Sequence, residues 1–215
     1  SSYDIIAFTD DDCIADKDWL KNLVSGFIDQ NIGFVIGQTF YINENYRGYF
    51  PERLVSNLDA RWPMGCNIAF RKEVFKKCGY FEHKYVAYIN EDSEMAIKTV
   101  SKGYSFNRKK DAVAYHQQVN WTPRSILKSA KNASVWPILK KNYPDHYLYF
   151  KPPIKLKIFV NVEDYLYILT LPIFLPLLFV RYIFHGKRDF KTFFAKWPIY
   201  LFLRRFYVYK EACKN

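Results

Sequence analysis

The chain has 215 residues, half of them hydrophobic and 20% aromatic, with 32 Lys+Arg against 21 Asp+Glu for a formal net charge of +11. An apolar half excludes a disordered chain and requires a packed core, and this length fits one globular domain or two small ones. The charge is uneven: residues 1–150 hold 20 basic and 17 acidic side chains, a net of +3, whereas residues 151–215 hold 12 and 4, a net of +8.

In chain order, Tyr3 to Thr9 is a short β-branched and aromatic run ending at Asp10-Asp11-Asp12, the pattern of a buried parallel strand that delivers a functional loop. A parallel strand so near the first residue needs neighbours, so further sequence upstream is expected. Asp16 is placed as the N-cap of a helix carrying Trp19, Leu20, Leu23, Val24 and Phe27 at helical spacing. Residues 33–40 read as a second strand, residues 43–62 as loop and short helix, and Gly65 to Phe70 as a third strand. A short helix, Lys72 to Lys77, then ends at Gly79. Asn90 caps a helix with an acidic first turn that Gly103 terminates, and Phe106 to His116 carries the next strand. Thr122-Pro123 opens a longer helix, expected to run to about Lys141. Strands alternating with helices indicate an α/β fold.

Past Lys151-Pro152-Pro153 the composition changes. Residues 165–180 are 16 positions without a charge, interrupted by Pro172 and Pro176. As helix they would span ~24 Å against a hydrocarbon core of ~30 Å, so a shallow or re-entrant segment competes with a crossing. Beyond them, basic side chains from Arg181 to Arg205 interleave with aromatic ones from Phe190 to Phe206, the composition of an interfacial helix drawn to anionic lipid. Single-stranded nucleic acid also suits alternating basic and aromatic residues, but it has no use for the adjoining apolar run, so the partner expected is a membrane surface and not nucleic acid. The chain divides on this reading into 1–150, a catalytic α/β part, and 151–215, a membrane-associated helical tail.

Two acidic sites carry the chemistry. Three carboxylates in a row at a strand end repel one another, and a divalent cation such as Mg²⁺ or Mn²⁺ relieves that; the alternative is an acidic turn leading into the Asp16 helix. Glu91 and Asp92 lie in a helix first turn, where capping and proton abstraction are both open to them. His116, at the end of the strand that follows, is a metal-ligand candidate.

The order of these blocks resembles the inverting family 2 glycosyltransferases of GT-A fold. The resemblance rests on Phe8-Thr9-Asp10-Asp11-Asp12 as the Asp-x-Asp motif, on Gly65 to Phe75 leading to Gly79-Tyr80-Phe81, on Asn90 to Lys98 with Gly103-Tyr104, and on Val113-Ala114-Tyr115-His116. It implies a partial GT-A mixed sheet with flanking helices, lacking the N-terminal half that binds the nucleotide base. It also implies that Asp12 ligates a divalent ion bridging the donor's phosphates, with Asp10 supporting the ion or the ribose, Asp11 secondary, and His116 completing the metal shell. Asp92 would be the general base on the acceptor hydroxyl, with Glu91 orienting it, and Gly65 and Asn67 would line the sugar pocket. The implied donor is a nucleotide-diphosphate sugar, and the implied acceptor a glycan or lipid-linked hydroxyl at the cytoplasmic face of the cell membrane. The processive synthases' Gln-x-x-Arg-Trp box is replaced by Trp121-Thr122-Pro123-Arg124, which favours single-sugar transfer.

Two other classes stay open at this point. Haloacid-dehalogenase-like phosphatases also place Asp-x-Asp after an apolar strand, with Asp10 as nucleophile and Asp12 as acid; against them, Ile14 stands where a small side chain is usual. A non-enzymatic, basic membrane-binding protein is the other.

Overall fold

A computed structural model of the chain describes residues 3–42, 57–86, 90–117, 123–147, 149–150 and 197–214, with positions 176 and 180. The apolar run of 165–180 and most of the basic aromatic stretch after it, together with 43–56 and the Trp121-Thr122 helix start, lie outside the described residues. By its contacts the chain forms two units, one of residues 1–45, 54–118 and 142–150, the other of 46–53, 119–141 and 151–215.

The first unit is built on a five-stranded mixed sheet. Its strands are β1 (Ile5–Phe8), β2 (Cys13–Ala15), β3 (Ile32–Tyr41), β4 (Ile68–Arg71) and β5 (Ser105–His116), in the order β1-β4-β3-β5-β2. The helices are α1 (Trp19–Val24), α2 (Lys72–Cys78), α3 (His83–Val86) and α4 (Glu91–Ser101). Among the described residues only β3 and β5 pair in parallel; the other ladders are antiparallel. β3 is buried along most of its length because both faces are covered, which is why it reads as a continuous apolar run. Phe34 and Ile36 join Ile68, Phe70, Val74, Phe75, Met95 and Ala96 on the side of α2 and α4. Val35 and Ala69 point the other way, to Leu23 of α1 and to Ala112. Phe34 is the aromatic hub, stacked on Phe106 at 5.1 Å and tilted against Phe70 at 5.3 Å. Such a buried ring stabilises by about 2 kcal/mol from area alone.

Several expectations change. β1 is a half-buried strand paired antiparallel with β4 at one edge of the described sheet, and not a buried parallel strand. Helix α1 starts at Trp19 and has six residues; Asp16 does not cap it but closes the turn before it, its Oδ1 accepting from Asp18 N at 3.1 Å. The third strand begins at Ile68, because Gly65–Asn67 form a 3₁₀ turn closed by Asn67 N donating to Met64 O at 2.9 Å. α2 ends as read, at Gly79 with φ +87°, a conformation that glycine adopts without a Cβ penalty. β2 was not anticipated; it pairs with the end of β5.

In the second unit the helix expected up to Lys141 is broken. Pro123–Ser129 (α5) gives way to a 3₁₀ segment at Ala130–Ser134 before α6, Val135–Asn142. Pro137 is the reason: it has no N–H for a bond to residue 133, and its ring crowds that carbonyl, so it fits only in a first turn. The last helix, α7, is Trp197–Ala212, and it exposes Ile199, Phe202 and Phe206 at helical spacing. Among the described residues no helix is long and apolar enough to cross a membrane.

Candidate functional site

Strand polarity gathers the predicted residues at one end of the sheet. The C-terminal end of β1 lies beside the start of β4, through Phe8 and Ile68, and β4 runs antiparallel to β3 with Ile68 opposite Ile36. β3 and β5 finish together, with Tyr41 opposite His116. The acidic loop after Phe8, the Gly65–Asn67 turn and His116 therefore share the same edge, where α/β sheets commonly bind ligands.

In the acidic loop, Asp10 O accepts from Cys13 N at 3.1 Å, and Asp12 O accepts from Gln117 N at 2.8 Å, so the loop is tied to the end of β5. His116 is only 7% exposed. Its Nδ1 lies 2.7 Å from Gln117 O, and since a carbonyl can only accept, Nδ1 carries the proton. Nε2 faces Asp12, 3.6 Å from its Oδ1, and in the neutral ring it offers a lone pair there. A lone pair and a carboxylate oxygen facing one another at this distance are well matched to a cation between them. Cys13 is the third member: ligand atoms of Asp12, Cys13 and His116 all lie within 4.8 Å of one another. Asp10 is exposed, and its carboxyl titrates above the ordinary range, through desolvation first and the charge of Asp12 second. Neither Asp10 nor Asp11 joins the three-residue cluster.

The second site is built on α4. Asn90 takes the cap position, its carbonyl accepting from Glu94 N at 3.0 Å. Asp92 Oδ2 accepts from Gly65 N at 2.8 Å and Oδ1 from Ser93 N at 2.5 Å. Burial pushes the Asp92 carboxyl up to about 6, against the lowering effect of those two N–H donors. A carboxylate poised there can accept a proton near neutral pH. Its neighbour Glu91 has a buried Oε2 without a hydrogen-bond partner among the described residues. An alanine at position 65 would meet Asp92 only at ordinary contact distance, 3.7 Å, so the fold does not demand a glycine there.

Asn67, expected with Gly65 to line the sugar pocket, is turned into the protein. It is fully buried; its Nδ2 donates to Gln38 O at 2.9 Å and to Ala112 O at 3.0 Å, and its Oδ1 accepts from Trp19 Nε1 at 2.8 Å. These bonds stitch the register shift between β3 and β5, where Gly37 pairs with Lys109 but Gln38 with Val113. Its role is to hold the bulge that brings His116 to the edge. The sequence carries no sign that Asn67, unlike Gly65, is internal. Cys13 is not among the site residues that the sequence singles out. Cys13-Ile14-Ala15 carries no apolar–polar alternation, and its pairing with β5, which sets Cys13 opposite His116, has no local signal in the sequence.

Residues 1–95 match the family described as Glycosyl transferase family 2. No curated protein matches the chain significantly. Among solved structures, the mannosyltransferase PcManGT from Pyrobaculum calidifontis, in complex with GDP-Man and Mn²⁺, is similar at a TM-score of 0.58 and 16% identity, covering 97% of this chain and 63% of its own. The chain thus spans less than two thirds of that neighbour's length. Together, the match over residues 1–95 and the shared architecture fit a family 2 glycosyltransferase of GT-A type, the family that the motifs resemble.

Proposed function

We propose that the protein takes part in metal-dependent, inverting and non-processive transfer of a sugar from a nucleotide-diphosphate donor to a hydroxyl of a glycan or lipid-linked acceptor. The observation that carries this reading is the placement, at one sheet end, of a cation-ready pair, Asp12 and His116, and of a carboxylate raised to about 6, Asp92. Asp12 and His116 would hold a divalent ion, Mg²⁺ or Mn²⁺, with Asp10 in support. When bound, such an ion neutralises charge on the departing diphosphate. Asp92, ionised and held by the Gly65 and Ser93 N–H groups, takes the acceptor proton through a remaining lone pair while the hydroxyl oxygen attacks the anomeric carbon from the opposite side. Glu91 orients the acceptor beside it. The phosphatase reading leaves the Gly65–Asn67 turn without a role, whereas here that turn is the partner of Asp92.

The same reading places the tail on the cytoplasmic face of the membrane. Its support is the net +8 of residues 151–215, the uncharged run of 165–180 and the exposed Ile199, Phe202 and Phe206 of α7.

The direct test is calorimetric titration of the chain, extended with the upstream donor-binding half that the family resemblance implies, with GDP-mannose and a panel of other nucleotide sugars, with and without Mn²⁺. Donor binding that needs Mn²⁺ and is lost in Asp12→Asn and His116→Ala is expected. Binding that ignores both metal and substitutions would overturn the metal-dependent reading.

A further inference from the structure

We propose that Cys13 is a third protein ligand of the divalent ion and sets the site's preference away from Mg²⁺, towards softer ions of the Mn²⁺, Co²⁺ and Zn²⁺ series. This rests on the metal-dependent reading above and deepens it.

The geometry comes from the sheet. Cys13 and His116 are direct partners in the antiparallel β2–β5 ladder. Residues directly opposite in such a ladder project to the same face with Cβ atoms about 5 Å apart. Asp12 immediately precedes Cys13 and is tied to the residue after His116 by the Gln117 N to Asp12 O bond. Thus one ladder and one backbone bond fix all three donors, and their ligand atoms fall within 4.8 Å of one another. The histidine arrives with Nδ1 fastened to Gln117 O and Nε2 turned to the cluster, the orientation in which metal-bound imidazoles are usually held by an outer partner.

The donor set then dictates the preference. Mg²⁺ takes hard oxygen ligands and keeps much of its water, so an imidazole and a sulfur are poor partners for it. Carboxylate oxygen, imidazole nitrogen and thiolate sulfur form a borderline set whose affinity climbs from Mn²⁺ through Co²⁺, with Zn²⁺ also favoured by sulfur. On binding, the metal–sulfur bond forms as the S–H bond breaks, and the proton leaves to solvent. The Cys13 thiol also meets Cys66, whose own thiol lies deeper, 3.8 Å from Thr39 Oγ1. Cys66 is therefore the natural control.

The experiment is Co²⁺ titration of the whole chain, followed by absorption, with circular dichroism to verify the fold of each variant. The native chain should show d–d bands together with a sulfur-to-cobalt charge-transfer band in the near ultraviolet. Cys13→Ser should lose that band and at least the roughly tenfold in Co²⁺ affinity that even outer partners of a metal site are worth; Cys66→Ser should keep both. Zn²⁺ should displace Co²⁺, and excess Mg²⁺ should not. Protein-induced d–d bands without the charge-transfer band, or easy displacement by Mg²⁺, would overturn the role of Cys13 and leave the metal site standing. A natively folded chain that gives no Co²⁺ spectrum at all would overturn both.

Discussion

The backbone N–H of Gly65 donates to Asp92 Oδ2 at 2.8 Å, so the first turn of α4 is clamped to the turn that precedes β4. The carboxylate is held by two N–H groups and yet burial leaves its pKa raised to about 6. The sign of the consequence is definite. Above that value the folded chain carries a buried charge that the unfolded chain solvates freely, so ionised Asp92 lowers stability at neutral pH, and the penalty fades as pH falls from about 6 towards the ordinary carboxylate range. Asp92→Asn should therefore raise the midpoint of thermal unfolding at pH 8, with the gap closing near pH 4. An Asp92→Asn chain less stable than the native one at pH 8 would show that the N–H clamp, and not burial, dominates.

Asn67 illustrates how an internal polar residue positions a site. Asn67→Asp removes two N–H donors from the carbonyls of Gln38 and Ala112 and buries a charge, which should cost about 3 kcal/mol or more in urea unfolding. Gly37→Ala should act at the same place, because a Cβ there collides with Asn67 Oδ1. Gly79→Ala, at φ +87° and ψ 179° with open space around it, should cost only the backbone strain of about 1–3 kcal/mol. Equal costs for the two glycine changes would mean that the Asn67 stitch contributes little.

Behind α4 lies a buried ionic group. Glu94 is fully buried, accepts a hydrogen bond from the Tyr143 hydroxyl and faces Lys98 Nζ at 3.5 Å, while Lys98 donates to Tyr80 O at 2.8 Å. Lys98→Met strands the carboxylate and should destabilise by about 3–5 kcal/mol at pH 8. The loss should shrink as pH falls, because burial already holds the Glu94 carboxyl above its usual range and protonation removes the stranded charge. Adding Glu94→Gln to Lys98→Met should recover much of the stability in a double-mutant cycle. Purely additive effects would deny the coupling.

For the tail, the whole chain should sediment with vesicles containing phosphatidylglycerol and not with purely zwitterionic ones, and salt should weaken the binding. Phe202→Asp with Phe206→Asp places charge on the exposed side of α7 and should reduce binding at least tenfold, given about 2 kcal/mol for each buried ring. Indifference to salt, lipid charge and both substitutions would refute membrane association.

What could be read beforehand followed from local physics. β3 announces itself by an apolar run with glycines that needs two covered faces, and α4 by its acidic first turn and by Gly103 at φ +88°. Asp12, His116 and Asp92 were named from their residue types at strand and helix ends, where a turn or a cap accounts for a carboxylate equally well; what the structure adds is that Asp12 faces His116 and Asp92 is tied to the Gly65 turn. The rest depended on partners distant in sequence. β2 exists because β5 offers it a ladder, and Cys13 becomes a candidate ligand only through that pairing. Asn67 turned inward because a bulge in β5 needed stitching, and no periodicity reports a bulge. The helix expected to run unbroken to Lys141 breaks before α6, and Pro137 is the local signal that the expectation passed over, since a proline past the first turn interrupts a helix.

The account stands most directly on Asp92 as the base. The decisive measurement is single-turnover sugar transfer with Mn²⁺, by native and Asp92→Asn chains extended with the upstream donor-binding half that the family resemblance implies, under conditions in which both bind the nucleotide sugar. The account expects transfer by the native chain that rises with pH through about 6, and a loss of about 10²–10⁴-fold in Asp92→Asn with donor binding kept. Transfer by Asp92→Asn at the native rate would contradict it.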